Sequence, residues 1–84
     1  MTTTTGARPA ITRTVDARGS FCPGPLMELI RAIRESAVGT VFCVRSSDRG
    51  SRVDIPKWVE KAGHRLIGVN EAEGYDEIVV EKLH

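Results

Sequence analysis

The sequence predicts an α/β fold: a two-layer βαβαββ sandwich, its four-stranded mixed sheet carrying both helices on one face. Three observations predict it. Apolar residues alternate along the chain between the two-residue spacing of strands and the helical period of about 3.6. Glycines and polar turns separate the segments. A length of 84 residues leaves room for one core, near the lower end of what folds unaided. Two helices and about four strands in so short a chain fit two packed layers.

Residues 1–9, with four consecutive threonines and no apolar stretch of a secretory signal, are expected to be a disordered leader to one domain over residues 10–84. Ile11 to Asp16 then reads as a strand that ends at the turn Arg18-Gly19-Ser20. Leu26, Leu29, Ile30, Ile33 and Ala37 recur at helical spacing and describe a helix with one buried face, ended by Gly39. Thr40 to Arg45 is β-branched and aromatic enough for a second strand, and Ser46 to Gly50 follows as a polar turn.

Ile55, Trp58, Val59 and Ala62 mark a second helix that stops at Gly63. Its start is open between two caps. Ser51 with Asp54 three residues on resembles a capping box, whereas an Asp54 cap accommodates Pro56 more easily. Leu66 to Asn70 and Glu77 to Lys82 form a hairpin through Glu73-Gly74-Tyr75. The helical crossover makes the first two strands parallel and right-handed, and the hairpin makes the last two antiparallel.

Composition narrows the function classes. The formal net charge is +1 with one Trp, which gives no electrostatic case for nucleic acid. Arg45, Arg49 and Arg52 gather around one loop, but as a solvated loop rather than a basic patch. Apolar runs fall far short of a membrane span, so a cytoplasmic address is expected. Cys22, Cys43, His64 and His84 are scattered, with no C-x-x-C, so neither a metal site nor a disulfide framework is expected.

The chemistry concentrates in Phe21-Cys22-Pro23-Gly24-Pro25, directly ahead of the first helix. Pro23 disfavours helical dihedrals at Cys22, which suits an N-cap, and supplies the φ of a first helical position, with Pro25 at the third. A sulfur there meets free backbone N–H groups and the positive end of the helix dipole, both of which favour the thiolate. The Gly24 amide is the expected partner of the sulfur, and the absence of a side chain at Gly24 leaves room for another molecule to approach. Arg18, four residues earlier, is placed to add positive charge. His64, past the second helix, reads as a capping or packing residue rather than a general base. Trp58 reads as core by its spacing, whereas Met27 lies off the apolar stripe and is a candidate contact residue beside Cys22.

Asp16, Gly19, Cys22-Pro23, Pro25, Gly39, Asp48, Asp54-Ile55-Pro56 and Gly63-His64, in this order and at these spacings, resemble the TusA/SirA-like family of small sulfur-carrier proteins. The resemblance spans Val15 to the C-terminal end. It implies a sandwich like the C-terminal domain of translation initiation factor 3, with Cys22, the cysteine of C-P-x-P, carrying a persulfide. Arg49 departs from the proline that many members have after the aspartate. The resemblance does not choose among tRNA thiolation, molybdenum cofactor synthesis, sulfur oxidation and thiosulfate import.

A persulfide carrier needs a thiolate that attacks a sulfane sulfur and then surrenders the outer sulfur to another thiol, so it must be exposed twice. A nearby resolving cysteine would expel the sulfur, and Cys43, in mid-strand, is too constrained to serve as one. The implied partners are a cysteine desulfurase or rhodanese-like donor and a protein acceptor, with no cofactor. The alternative is a regulatory or adaptor domain that uses the helix-start surface only for binding. A thiol peroxidase or disulfide exchanger is a third, weakened by the lack of a resolving cysteine.

Overall fold

A computed structural model of the protein describes residues 11–21 and 23–84; the expected leader and Cys22 itself lie outside the described residues. Four strands, β1 (Arg13–Asp16), β2 (Val41–Ser46), β3 (Arg65–Ala72) and β4 (Tyr75–Glu81), form one sheet in the order β1-β2-β4-β3. β1 and β2 are parallel, while β4 runs antiparallel to both its neighbours. Helix α1 (Gly24–Arg34) provides the parallel crossover, and α2 (Arg49–Ala62) joins β2 to β3.

Among the described residues the main core cluster lies between sheet and helices. Leu29, Ala32 and Ile33 of α1 and Ile55 and Val59 of α2 bury against Val15, Phe42, Val44, Ile78 and Val80. Leu26, Trp58 and Val69 pack against its margin, so Trp58 does join the core as its spacing predicts. Alternation along β2 sends Phe42 and Val44 toward the helices and Val41, Cys43 and Arg45 to the other face. Both helices therefore cover one face, as expected.

The strands keep to the expected segments within one or two residues of each end, and three helix boundaries differ from the sequence expectation, each for an identifiable reason. The N-cap of α1 is Pro23, not Cys22, because the carbonyl of Pro23 accepts the first helical bond, from the Met27 N–H at 2.9 Å. Pro25 thus stands at the second helical position rather than the third, still without costing an intrahelical bond. The same helix ends at Arg34, well before Gly39, and leaves Ala37 exposed. Its end is held from across the fold: the Lys82 ammonium donates to the carbonyl of Ile33, in the last turn, and to that of Ser36, just past the helix, at 2.7 Å each.

α2 begins earlier than either predicted cap. Asp48 is the N-cap, its carboxylate accepting from the Ser51 amide at 3.2 Å and the Ser51 hydroxyl at 3.1 Å. Arg49 is therefore the first helical residue. That position tolerates proline and arginine alike, because its N–H has no intrahelical acceptor. Pro56 falls inside the helix and removes one backbone bond, at a cost of about 3 kcal/mol in an isolated helix. Full burial of Ile55 and Val59, on either side of Pro56, holds the helix against the sheet. The helix stops at Gly63, whose φ of 80° a residue with a side chain adopts only under strain.

Candidate functional site

The parallel register sets Asp16 opposite Arg45, so β1 and β2 end together, and β4 starts there with Asp76 opposite Ser46. Both helices also start from this end of the sheet. The C-P-x-P motif therefore lies where open α/β sheets place their chemistry.

The loop between β1 and α1 is tied down by backbone and side chain together. The Ala17 N–H donates to the Arg45 carbonyl at 2.9 Å, and the Ser20 N–H to the Ala17 carbonyl at 3.1 Å. Gly19, at φ 89°, donates its N–H to the Ser47 hydroxyl at 2.9 Å, joining this loop to the one that opens α2. A left-handed φ at that point selects glycine. The Gly24 N–H closes a turn onto the Phe21 carbonyl at 2.7 Å. The amide expected to serve the sulfur is thus already engaged. A Cβ on Gly24 would stand 3.3 Å from the Ser20 Cβ, so the loop packs directly on the helix start.

Cys22 itself is outside the described residues, but its chain neighbours are not. Phe21 is 79 % exposed and Pro23 is exposed, while Pro25 is fully buried and anchors the first turn. Met27 is 58 % exposed, in agreement with its place off the apolar stripe. With Gly24, Glu28, Ile30, Arg31 and Arg34 it lines a shallow groove of ≈ 480 Å³ along α1.

Arg18 has a different environment from the one expected. Its guanidinium forks onto Asp16, Nε to Oδ1 and Nη2 to Oδ2 at 2.8 Å each. The side-chain and backbone hydrogen bonds from Arg18 hold the Asp16 carboxyl down to about 2. Its positive charge is consequently matched by a carboxylate beside it. The neighbouring arginines follow suit: Arg45 pairs with Glu77 at 3.4 Å, and Arg52 with Glu71 at 3.1 Å and Asp76 at 3.7 Å. Arg49, exposed on the first turn of α2, forms no ion pair among the described residues.

Cys43 is 2 % exposed in the middle of β2, between Thr14 of β1 and Val79 of β4. Burial and then the Glu77 carboxylate push its thiol pKa up, so it is held as an unreactive thiol. His64 sits at the other end of the sheet, just before Arg65 pairs with Glu81. Its Nδ1 accepts the Leu83 N–H at 3.2 Å, and its ring stacks on His84 at a centroid separation of 4.6 Å. Burial, His84 and Lys82 lower its pKa. The topology therefore separates His64 from the motif and gives it a packing role. Tyr75, expected in the hairpin turn, is the first residue of β4, and the contacts of Tyr75 and of Lys82 were not foreseen. Both work through contacts between distant chain segments, which local spacing does not encode.

Among the described residues no helix is long and apolar enough to cross a membrane, and no group of three His, Cys, Asp or Glu side chains gathers as for a metal. A family model described as Sulfurtransferase TusA matches residues 13–82. An Archaeoglobus fulgidus protein named as a candidate sulfur carrier is 58 % identical over 69 residues, 82 % of this chain and 94 % of that protein. The sulfur carrier protein TusA of Pseudomonas entomophila is 44 % identical over 61 residues, 73 % of this chain and 76 % of its own. The crystal structure of a SirA-like protein from Desulfitobacterium hafniense superposes with a TM-score of 0.74 at 26 % identity, over 86 % of this chain and 99 % of that one. With the motif, the sandwich and these matches in agreement, the chain belongs to the TusA family of sulfur carriers.

Proposed function

We propose that the protein is a cytoplasmic persulfide carrier whose single working atom is the sulfur of Cys22, in one sulfur-carrier domain from residue 10 onward. The observation that carries this reading is the contrast between the two cysteines of the chain. Cys22 is flanked by exposed Phe21 and Pro23 at the start of α1, whereas Cys43 is sealed in the sheet. Only the first has surroundings that another protein's sulfur reaches.

In the loading step the Cys22 thiolate attacks the sulfane sulfur of a donor persulfide. A sulfur–sulfur bond forms on Cys22, the bond within the donor persulfide breaks, and the donor thiolate leaves. In the unloading step an acceptor thiolate attacks the outer sulfur and Cys22 departs as thiolate. Each step is an exchange of one sulfur between thiolates, so no cofactor is needed. The protein is a sulfurtransferase in this relay sense, with specificity supplied by a cysteine desulfurase or rhodanese-like donor and by a protein acceptor. Exposed Phe21 and Met27, with Arg31 and Arg34 along the same helix, support protein docking at the motif. The pairing of Arg18, Arg45 and Arg52 with carboxylates supports the expectation of no direct nucleic-acid binding.

Pro23, Gly24 and Pro25 support the sulfur by shape, through the closed turn and the buried first-turn proline. Arg18 supports it through the loop and not as a free charge. The test is Cys22→Ser exposed to a sulfane-sulfur donor such as thiosulfate with rhodanese. It should fold as the parent does and take up no sulfur. Uptake by the serine variant would overturn the single-site reading.

A further inference from the structure

The Tyr75 ring lies beneath two guanidinium groups, that of Arg18 at 5.0 Å from the ring centroid and that of Arg45 at 5.8 Å. Each of these cations is paired with its own carboxylate, Arg18 with Asp16 and Arg45 with Glu77. The ring thus receives flat, charge-matched guanidinium faces, an arrangement that arginine makes and lysine does not. The participants come from the ends of β1 and β2, the loop that follows β1 and the first residue of β4. Among the described residues that loop is also tied by the bonds from Ala17, Gly19 and Ser20 given above and by the Arg18 N–H, which donates to Asp16 Oδ1 at 3.2 Å.

We propose that Tyr75 is a positioning residue for sulfur exchange: by stacking on Arg18 it fixes the loop between β1 and α1 against the sheet, and through that loop it governs the reactivity of Cys22. The inference rests on the carrier reading of Cys22. The physical route is short. Arg18 is locked between Asp16 and the ring, Gly19 is bonded to Ser47, and Ser20 packs on Gly24 at the helix start. Loss of the ring frees the Arg18 end of this chain of contacts, and the looseness reaches the helix start through Ser20.

The experiment compares the full-length protein with Tyr75→Leu, Tyr75→Phe, Arg18→Gln and the Tyr75→Leu/Arg18→Gln double variant. Three quantities are read: the pH profile of Cys22 alkylation by iodoacetamide, amide exchange at Gly19 and Ser20 against Ile78 and Val80, and the rate of sulfur uptake from a rhodanese–thiosulfate donor. Tyr75→Leu should speed exchange at Gly19 and Ser20 by about tenfold while the β4 amides stay protected. It should also move the alkylation profile toward that of an unstructured cysteine peptide and slow sulfur uptake. Tyr75→Phe, which keeps the ring, should match the parent. Arg18→Gln should reproduce Tyr75→Leu, and the double variant should add little to either. Additive effects, a Phe variant as impaired as the Leu variant, or a parent profile indistinguishable from the peptide's would overturn the positioning role. Because alkylation needs no sulfur donor, the two readings fail separately. Shifted profiles with no sulfur uptake in any variant remove the carrier role alone, and equal uptake with unshifted profiles removes the positioning role alone. Arg18→Gln changes an exposed side chain, so it carries the test if Tyr75→Leu does not fold.

Discussion

The Gly19 amide donates to the Ser47 hydroxyl across 2.9 Å, and this bond joins the two loops that launch the two helices. It also places a glycine with left-handed φ three residues ahead of the motif cysteine, so the loop that presents Cys22 is both short and fastened. The consequences of this frame, and of the contacts that hold the rest of the sandwich, can be measured one at a time.

Cys43 should be silent in the native state. It is buried, and burial together with Glu77 raises its pKa. In native protein only Cys22 should react with iodoacetamide, and in denaturant both cysteines should. Cys43→Ala should keep full sulfur uptake and lose about 1 kcal/mol from the small cavity it leaves. Modification of Cys43 in the native protein, followed by peptide mapping, would contradict this placement.

Lys82→Met should destabilise the protein by about 1–3 kcal/mol, as expected for charged hydrogen bonds lost from helix carbonyls. The ammonium serves the carbonyl of Ile33 in the last turn of α1 and that of Ser36 just beyond it. Denaturant unfolding would read the loss. Iodoacetamide alkylation of Cys22 should be unaltered, because α1 starts at the other end of the sheet.

Stability should fall as pH is lowered below the ordinary histidine value of 6.5. His64 has a folded pKa below that value, from burial, His84 and Lys82, so the unfolded chain takes up the proton first. The contribution is complete above 6.5 and is lost as pH drops through the lower folded value. Protonation also ends the ability of Nδ1 to accept the Leu83 N–H. His64→Asn, whose side-chain oxygen can take the place of Nδ1, should flatten this slope in urea midpoints measured from neutral to mildly acidic pH. An equal slope in the variant would show that His64 does not carry it.

Met27→Glu should separate docking from chemistry. Met27 is exposed beside the motif and makes no part of the core. Uptake of sulfur from a small inorganic polysulfide should be within twofold of the parent, whereas uptake from a protein donor should fall by about tenfold or more, the usual loss at an interface anchor. Parallel effects on both donors would mean that the residue acts on the thiol rather than on the partner.

Much of the architecture was legible because each element has an unambiguous period: Leu26, Leu29 and Ile33 turn toward the sheet, and Phe42 and Val44 face the helices. The boundaries were harder, since they depend on partners distant in sequence. α1 stops where Lys82 collects its carbonyls, not at Gly39, and no local pattern at Arg34 announces an ammonium from beyond β4. The start of α2 was missed because Pro56 argues against a helix through it, while the Asp48 cap and the burial of Ser51 and Ile55 outweigh the lost bond. At the site, the motif and the exposure of Met27 were readable from composition and spacing. The Arg18 fork was not, although Asp16 stands two residues away, because free charge near a cysteine and a closed ion pair have the same sequence. Tyr75 was invisible for a similar reason, its partner being brought to it by strand register.

The most direct test is a two-step intact-mass measurement on the parent protein. Exposure to a sulfane-sulfur donor should add the mass of one sulfur atom, mapped to the peptide that carries Cys22, and a low-molecular-weight thiol should then remove it and restore the starting mass. No gain, a gain on the Cys43 peptide, or added mass that the thiol cannot remove would contradict a transferable persulfide on Cys22.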